Sequence, residues 1–125
     1  MSARILIVED EYIVAADLEM KLVRMGYQVV GSAVNGQEAI VLADKHRPDV
    51  VLMDIQLQGP LNGTEAANAI RTKSSTPIIF VTAFTGLLPR DTQDEAIHEM
   101  CLSKPISATE LKETLEAVLK RTAVE

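Results

Sequence analysis

The chain has 125 residues, enough for one domain with one sizeable core and too few for a second module of ordinary size. Its net charge of −6 disfavours general attraction to nucleic acid or anionic lipid, which needs a basic face, and its single cysteine, Cys101, excludes an internal disulfide and the usual zinc sites. No apolar stretch approaches the roughly 20 residues of a membrane helix, and Met1-Ser2-Ala3-Arg4 lacks the apolar core of a signal peptide, so the cytoplasm is the expected compartment.

Short apolar runs alternate with longer amphipathic ones, the pattern of strand, crossover helix, strand. The first strand is predicted over Ile5 to Val8. After Glu9-Asp10-Glu11, the residues Val14, Leu18, Leu22 and Met25 recur at helical spacing, and Gly26 stops that helix. Val29 to Ala33 reads as strand two. Asn35, with Glu38 three residues on, starts a helix that ends near His46, and Pro48 follows as punctuation. Strand three is Val50 to Met53. A loop holding Gly59, Pro60, Asn62 and Gly63 precedes a third helix with Ala66, Ala67 and Ile70 on one face. Pro77 opens strand four, Ile78 to Val81. Thr85, Gly86 and Pro89 then break the pattern, and a fourth helix is expected only over Asp91 to Met100. Strand five is brief, Cys101 to Ser103. Ser107 and Glu110 form a capping-box pair before a fifth helix striped by Leu111, Leu115, Val118 and Leu119, with Thr122 to Glu125 as a frayed tail.

Strands as apolar as Val50 to Met53 require cover on both faces, which calls for a parallel sheet with helices on each side. In such sheets ligands sit outside the carboxyl ends of the strands. Glu9, Asp10, Asp54, Thr82 and Lys104 all fall at predicted strand ends, so one pocket is expected to gather several carboxylates, a hydroxyl and an ammonium. Carboxylates crowded in this way repel, and a hard cation relieves the repulsion. Magnesium takes oxygen ligands, and Asp10, Asp54 and the backbone carbonyl of Gln56 offer them. With Lys104 such a cation would neutralise a phosphoryl group in transit, and Asp54 would be its nucleophilic acceptor.

These residues resemble the receiver domain of two-component response regulators. Ile5-Leu6-Ile7-Val8-Glu9-Asp10-Glu11, Pro48-Asp49-Val50-Val51-Leu52-Met53-Asp54, Val81-Thr82-Ala83 and Ser103-Lys104-Pro105 stand in that family's order and approximate spacing, covering nearly the whole chain. The resemblance implies an α/β, flavodoxin-like, doubly wound sheet of five parallel strands in the order 2-1-3-4-5 with five helices, forming one receiver domain over residues 1–125. It implies magnesium as cofactor, held by Glu9, Asp10, Asp54 and the Gln56 carbonyl. Asp54 would accept phosphate from the histidine of a partner sensor kinase or phosphotransfer protein, with Thr82 as switch hydroxyl, Lys104 pairing with the phosphate, and a cis peptide before Pro105. Such a domain is no enzyme in the ordinary sense, but a signalling module that catalyses phosphoryl transfer to its own aspartate and its hydrolysis. Its output is a changed surface around the fourth helix, fifth strand and fifth helix, which meets a downstream protein and can also serve homodimerisation.

The chain departs from the family pattern in three places. Cys101 stands where an aromatic residue usually reports phosphorylation, the loop from Ile55 to Gly63 is a residue longer than the common form with Gln58 where proline often sits, and Glu99-Met100 replaces a Gly-Ala pair. The missing aromatic at Cys101 supports a competing reading, a pseudo-receiver that docks proteins without chemistry. Flavin binding on the same fold is disfavoured, because Glu9-Asp10-Glu11 would repel a flavin phosphate. His46 and His98 lie on predicted helices away from the pocket, so the donor histidine is expected on a partner. Phe84, beside the switch region, is a candidate for shaping water access to Asp54. No output domain is visible in the sequence, which suits either a stand-alone regulator or a part of a longer chain.

Overall fold

A computed structural model describes residues 2–83 and 101–124, with side chains through Lys120. The strands are β1 (Arg4–Val8), β2 (Gln28–Ala33), β3 (Val50–Asp54), β4 (Ile78–Thr82) and β5 (Cys101–Ser103). The helices among the described residues are α1 (Tyr12–Arg24), α2 (Gly36–His46), α3 (Gly63–Arg71) and a C-terminal helix (Ala108–Val124). All strand pairings are parallel, and the order is β2-β1-β3-β4-β5, as the resemblance implied. The helix expected over 91–100, together with Phe84, His98 and Glu99-Met100, lies outside the described residues. Among those described, no helix is long and apolar enough to cross a membrane.

Alternation along the central strands divides the interior into two cores. Leu6, Val8, Val51, Met53, Ile78 and Phe80 meet Ala39 and Ala43 of α2 and Ala66, Ala67 and Ile70 of α3. The alternate residues Ile5, Ile7, Val50, Leu52, Ile79 and Val81 meet Leu18 and Leu22 of α1 and Leu111, Leu115 and Val118 of the C-terminal helix. Every residue of β3 and β4 is buried, as a sheet covered on both faces demands. Each large aliphatic side chain removed from water contributes roughly 1.5–3 kcal/mol, so the three central strands anchor the fold.

Local chemistry sets the helix starts. The Asn35 side chain accepts the Glu38 N–H at 2.8 Å, and Ser107 Oγ accepts the Glu110 N–H at 3.0 Å. At α3 the box is reciprocal: Asn62 accepts from the Glu65 N–H at 2.9 Å while the Glu65 carboxylate accepts the Asn62 N–H at 3.1 Å. Three boundaries differ from the expected ones in ways that matter. Asp54 and Thr82 are the last rungs of their strands rather than the first residues beyond, because Asp54 pairs with Val81 and Thr82 with Ser103 in the ladder. The predicted tail is helical through Val124, since Arg121 to Ala123 contain no breaker and each added residue gains one backbone bond.

Candidate functional site

The buried polar and charged side chains among the described residues are Glu9, Asp54 and Thr82, exposed by 2%, 4% and 0%; Asp54 and Thr82 end β3 and β4, and Glu9 directly follows β1 at the same sheet edge. Burying a carboxylate is costly unless it is paired, so two of them at one point need a counter-charge. Lys104 supplies it. Its Nζ lies 2.6 Å from Glu9 Oε1 and donates to Asp54 Oδ2 at 3.2 Å. The ladder aims this side chain: the Lys104 N–H bonds the Thr82 carbonyl at 2.9 Å, immediately after β5 ends. Lys104–Pro105 is cis, as expected.

Backbone donors hold the other carboxylate oxygens. The Gln56 N–H donates to Asp54 Oδ1 at 3.0 Å, and the Glu11 N–H donates to Glu9 Oε2 at 3.0 Å. Glu9 Oε1 is different: its approach to Lys104 is close, yet it has no partner in hydrogen-bond geometry. The contact is an ion pair whose acceptor still has bonding capacity to offer. Asp10 joins the two buried acids, and one oxygen from each of Glu9, Asp10 and Asp54 lies within 4.8 Å of the others. An all-oxygen set with an under-used buried oxygen fits a hard divalent cation such as magnesium. The cleft in front of it, about 510 Å³, is lined by Asp10, Glu11, Asp54, Gln56, Leu57, Gln58, Ala83 and Lys104. The expected residues thus converge: Gln56 is on the cleft wall, and Thr82 is buried at the end of β4.

Two protonation equilibria register the crowding. Burial pushes the Asp10 carboxyl above its ordinary value near 3.8, the adjoining Glu9 carboxylate pushes the same way, and backbone hydrogen bonds only partly oppose them. For Lys104, burial pulls the ammonium down, but the Glu9 and Asp54 carboxylates outweigh it and the net shift is upward. The Asp10 shift has a defined sign in stability. A carboxyl whose pKa is raised on folding contributes fully below the unfolded value, and that contribution is lost as pH rises through the folded one. Asp10→Asn is therefore expected to melt higher than the wild type in metal-free buffer at pH 7. The advantage should narrow toward pH 3.5, and the variant should gain little from added magnesium; thermal melts with and without the cation check both points.

Cys101 is half-buried in the ladder opposite Phe80 and packs against the α2/α3 core, and burial pushes its thiol upward, away from reactivity. Gly63, expected in the loop before the third helix, instead opens α3, and its role at the site was not foreseen. A Cβ there would lie 2.1 Å from the Asp54 carbonyl oxygen and 2.7 Å from Ile55 Cα, so α3 starts in contact with the backbone of the strand end that carries Asp54. The Gly63 N–H also bonds the Ile55 carbonyl at 2.9 Å. The spacing Asn62-x-x-Glu65 was the available signal for a helix starting there; nothing local signalled the close approach.

Comparison with known proteins places this geometry. Residues 5–116 match the family described as the response regulator receiver domain. The transcriptional regulatory protein PdtaR of Mycobacterium tuberculosis is 37% identical over 118 residues, which are 94% of this chain and 57% of that protein. The chain thus spans little more than half the length of this curated relative. Among solved structures, the anti-anti-sigma factor PhyR from Bartonella quintana superposes with a TM-score of 0.81 at 32% identity, over 99% of this chain and 51% of that one. The receiver domain of the sensor histidine kinase PA1611 from Pseudomonas aeruginosa, described with a magnesium ion coordinated in its active-site cleft, gives 0.79 at 29% identity, over 96% and 99% of the two chains. Together with the sheet order and the buried acids, these matches make the chain a member of the response regulator receiver domain family of two-component signalling.

Proposed function

We propose that residues 1–125 form one receiver domain in which Asp54 accepts a phosphoryl group from the histidine of a partner sensor kinase or phosphotransfer protein, switching a surface that binds a downstream protein. The observation that carries this reading is the single ammonium of Lys104 shared between two buried strand-end carboxylates, Glu9 and Asp54. In the reaction a carboxylate oxygen of Asp54 forms the O–P bond as the N–P bond of the donor breaks. The Gln56 N–H fixes the carboxylate plane through Oδ1, and Lys104, beside Oδ2, stands where charge gathers on the incoming group. Glu9, Asp10, Asp54 and the Gln56 carbonyl would hold magnesium, which when bound neutralises phosphoryl oxygens. The ion described in the Pseudomonas receiver supports this assignment. Thr82, at the end of β4, is the switch hydroxyl, and hydrolysis of the phosphoryl group resets the domain. The cytoplasm, where such kinases present their histidines, is the proposed compartment.

A protein donor must reach the cleft from outside, and Tyr12 and Ile13, exposed by 85% and 84%, open α1 directly after Asp10 and Glu11. Apolar side chains left in water beside a charged cleft favour a protein partner over a small molecule alone. The PdtaR and PhyR names, transcriptional regulatory protein and anti-anti-sigma factor, support an output through regulation of transcription. Incubation with magnesium and a small phosphodonor such as phosphoramidate should add one acid-labile phosphoryl group, detected by intact mass, and Asp54→Ala should remove it. No adduct on the wild type, or an undiminished adduct on Asp54→Ala, would leave the docking-only reading standing instead.

A further inference from the structure

Lys104 is long and flexible, yet its position depends on a loop of three residues, Lys104 to Ile106. One end of this loop is pinned by the ladder bond from the Lys104 N–H to the Thr82 carbonyl. Pro105 has no N–H to pin the middle. The far end is pinned from another element: Lys21 of α1 donates to the Ile106 carbonyl at 2.8 Å, across 85 residues of sequence. Lys21 is itself held by Asp17 at 2.7 Å, one turn earlier on the helix, and its side chain is only 26% exposed. Ile106 is buried among Leu18, Leu22, Leu111 and Leu115, so its carbonyl has a fixed direction. Lys21 and Lys104 line the same groove, about 450 Å³, together with Ile13, Val14, Leu18, Pro105 and Ile106.

We propose that Lys21 is a positioning residue for Lys104: by clamping the Ile106 carbonyl to α1, it holds the loop so that the Lys104 ammonium stays within reach of both Glu9 and Asp54. This inference rests on the reading of Asp54 as phosphoacceptor. A charge-assisted bond to a partly buried carbonyl is stronger than a neutral one, and its loss frees the loop on the side opposite the ladder. The hydrogen bonds of Lys21 go to Asp17 and the Ile106 carbonyl and not to Glu9 or Asp54, so its effect runs through the backbone and is insensitive to salt. A through-space effect of its charge would be screened.

The test compares labelling rates of the full chain with magnesium and phosphoramidate, at low salt and in 0.5 M salt, well below the melting temperature. Lys21→Met keeps the aliphatic stem and removes the donor; it should slow labelling about tenfold at both salt concentrations, the scale of a sub-ångström misplacement. Magnesium affinity, read by titration without phosphodonor, should stay within about twofold of the wild type, because the three carboxylates are untouched. Lys21→Arg should restore most of the rate, and Asp17→Asn, which keeps an acceptor beside Lys21 and leaves the donor to Ile106 in place, should slow labelling less than Lys21→Met does. A wild-type rate for Lys21→Met, slowing that disappears in high salt, or equal slowing by Asp17→Asn would each overturn the proposal. An unlabelled wild type would instead overturn the phosphoacceptor reading on which it depends.

Discussion

Lys104→Met should cost the metal-free domain about 3 kcal/mol of stability, the scale on which removing one partner leaves a buried charge uncompensated. The lysine is 17% exposed at its side chain, against 1% for Glu9 and 5% for Asp54, so it is the counter-charge of two carboxylates that are themselves almost wholly buried. Methionine preserves the stem and deletes the charge, which leaves two buried carboxylates facing each other. The loss should shrink in magnesium, because a cation binds the folded variant's uncovered acids and not the unfolded chain. Urea unfolding in EDTA and in magnesium measures both values; a magnesium increment smaller in the variant than in the wild type would contradict the account. The raised Lys104 pKa sets the alkaline limit of the same interaction. Its contribution is complete at neutral pH and is lost as pH rises beyond the ordinary lysine value of 10.5, through the still higher folded one.

The second large effect is expected at Gly63. Gly63→Ala would drive a methyl group into the Asp54 carbonyl oxygen and Ile55 Cα, backbone atoms that cannot swing aside as a side chain would. Overpacking of this kind costs about 3 kcal/mol where the obstacle is main chain. Gly59→Ala makes the contrast: its φ of 105° disfavours a side chain, but nothing lies within 4 Å of the added Cβ, so about 1 kcal/mol is expected. Midpoints of urea unfolding for the two variants decide the matter. Equal losses would mean that the approach of α3 to β3 relaxes freely.

Most of the architecture could be read from the chain because its central strands are short, apolar and punctuated. Val50 to Met53 and Ile78 to Val81 announce strands covered on both faces, and a polar residue directly after such a run marks the edge where ligands gather. That is why Glu9, Asp10, Asp54, Thr82 and Lys104 could be placed together before any coordinates. The features that escaped depend on distance in sequence rather than pattern within it. Gly63 is glycine because of the Asp54 backbone nine residues earlier, and Lys21 reaches a carbonyl beyond the last strand. Neither contact imposes a period on its own segment. Arg47, which closes α2 in the left-handed region at φ 48°, is a third case, since position and not residue type demands it. Its carbonyl and that of His46 are both taken by the Arg4 guanidinium, a contact that no local reading supplies.

The strand that delivers Lys104 is the least secured of the five. Among the described residues β5 is an edge strand of three residues that pairs only with β4, whereas β1, β3 and β4 are bordered on both sides. Its amides are expected to exchange through a shallower opening than those of the strands that carry Glu9 and Asp54, which amide hydrogen exchange would show. Peeling it away would withdraw the ammonium and leave the acids seated on an intact central sheet. On this arrangement the fixed positive charge and the buried acids rest on strands of unequal support, and loss of the first need not cost the fold that holds the second.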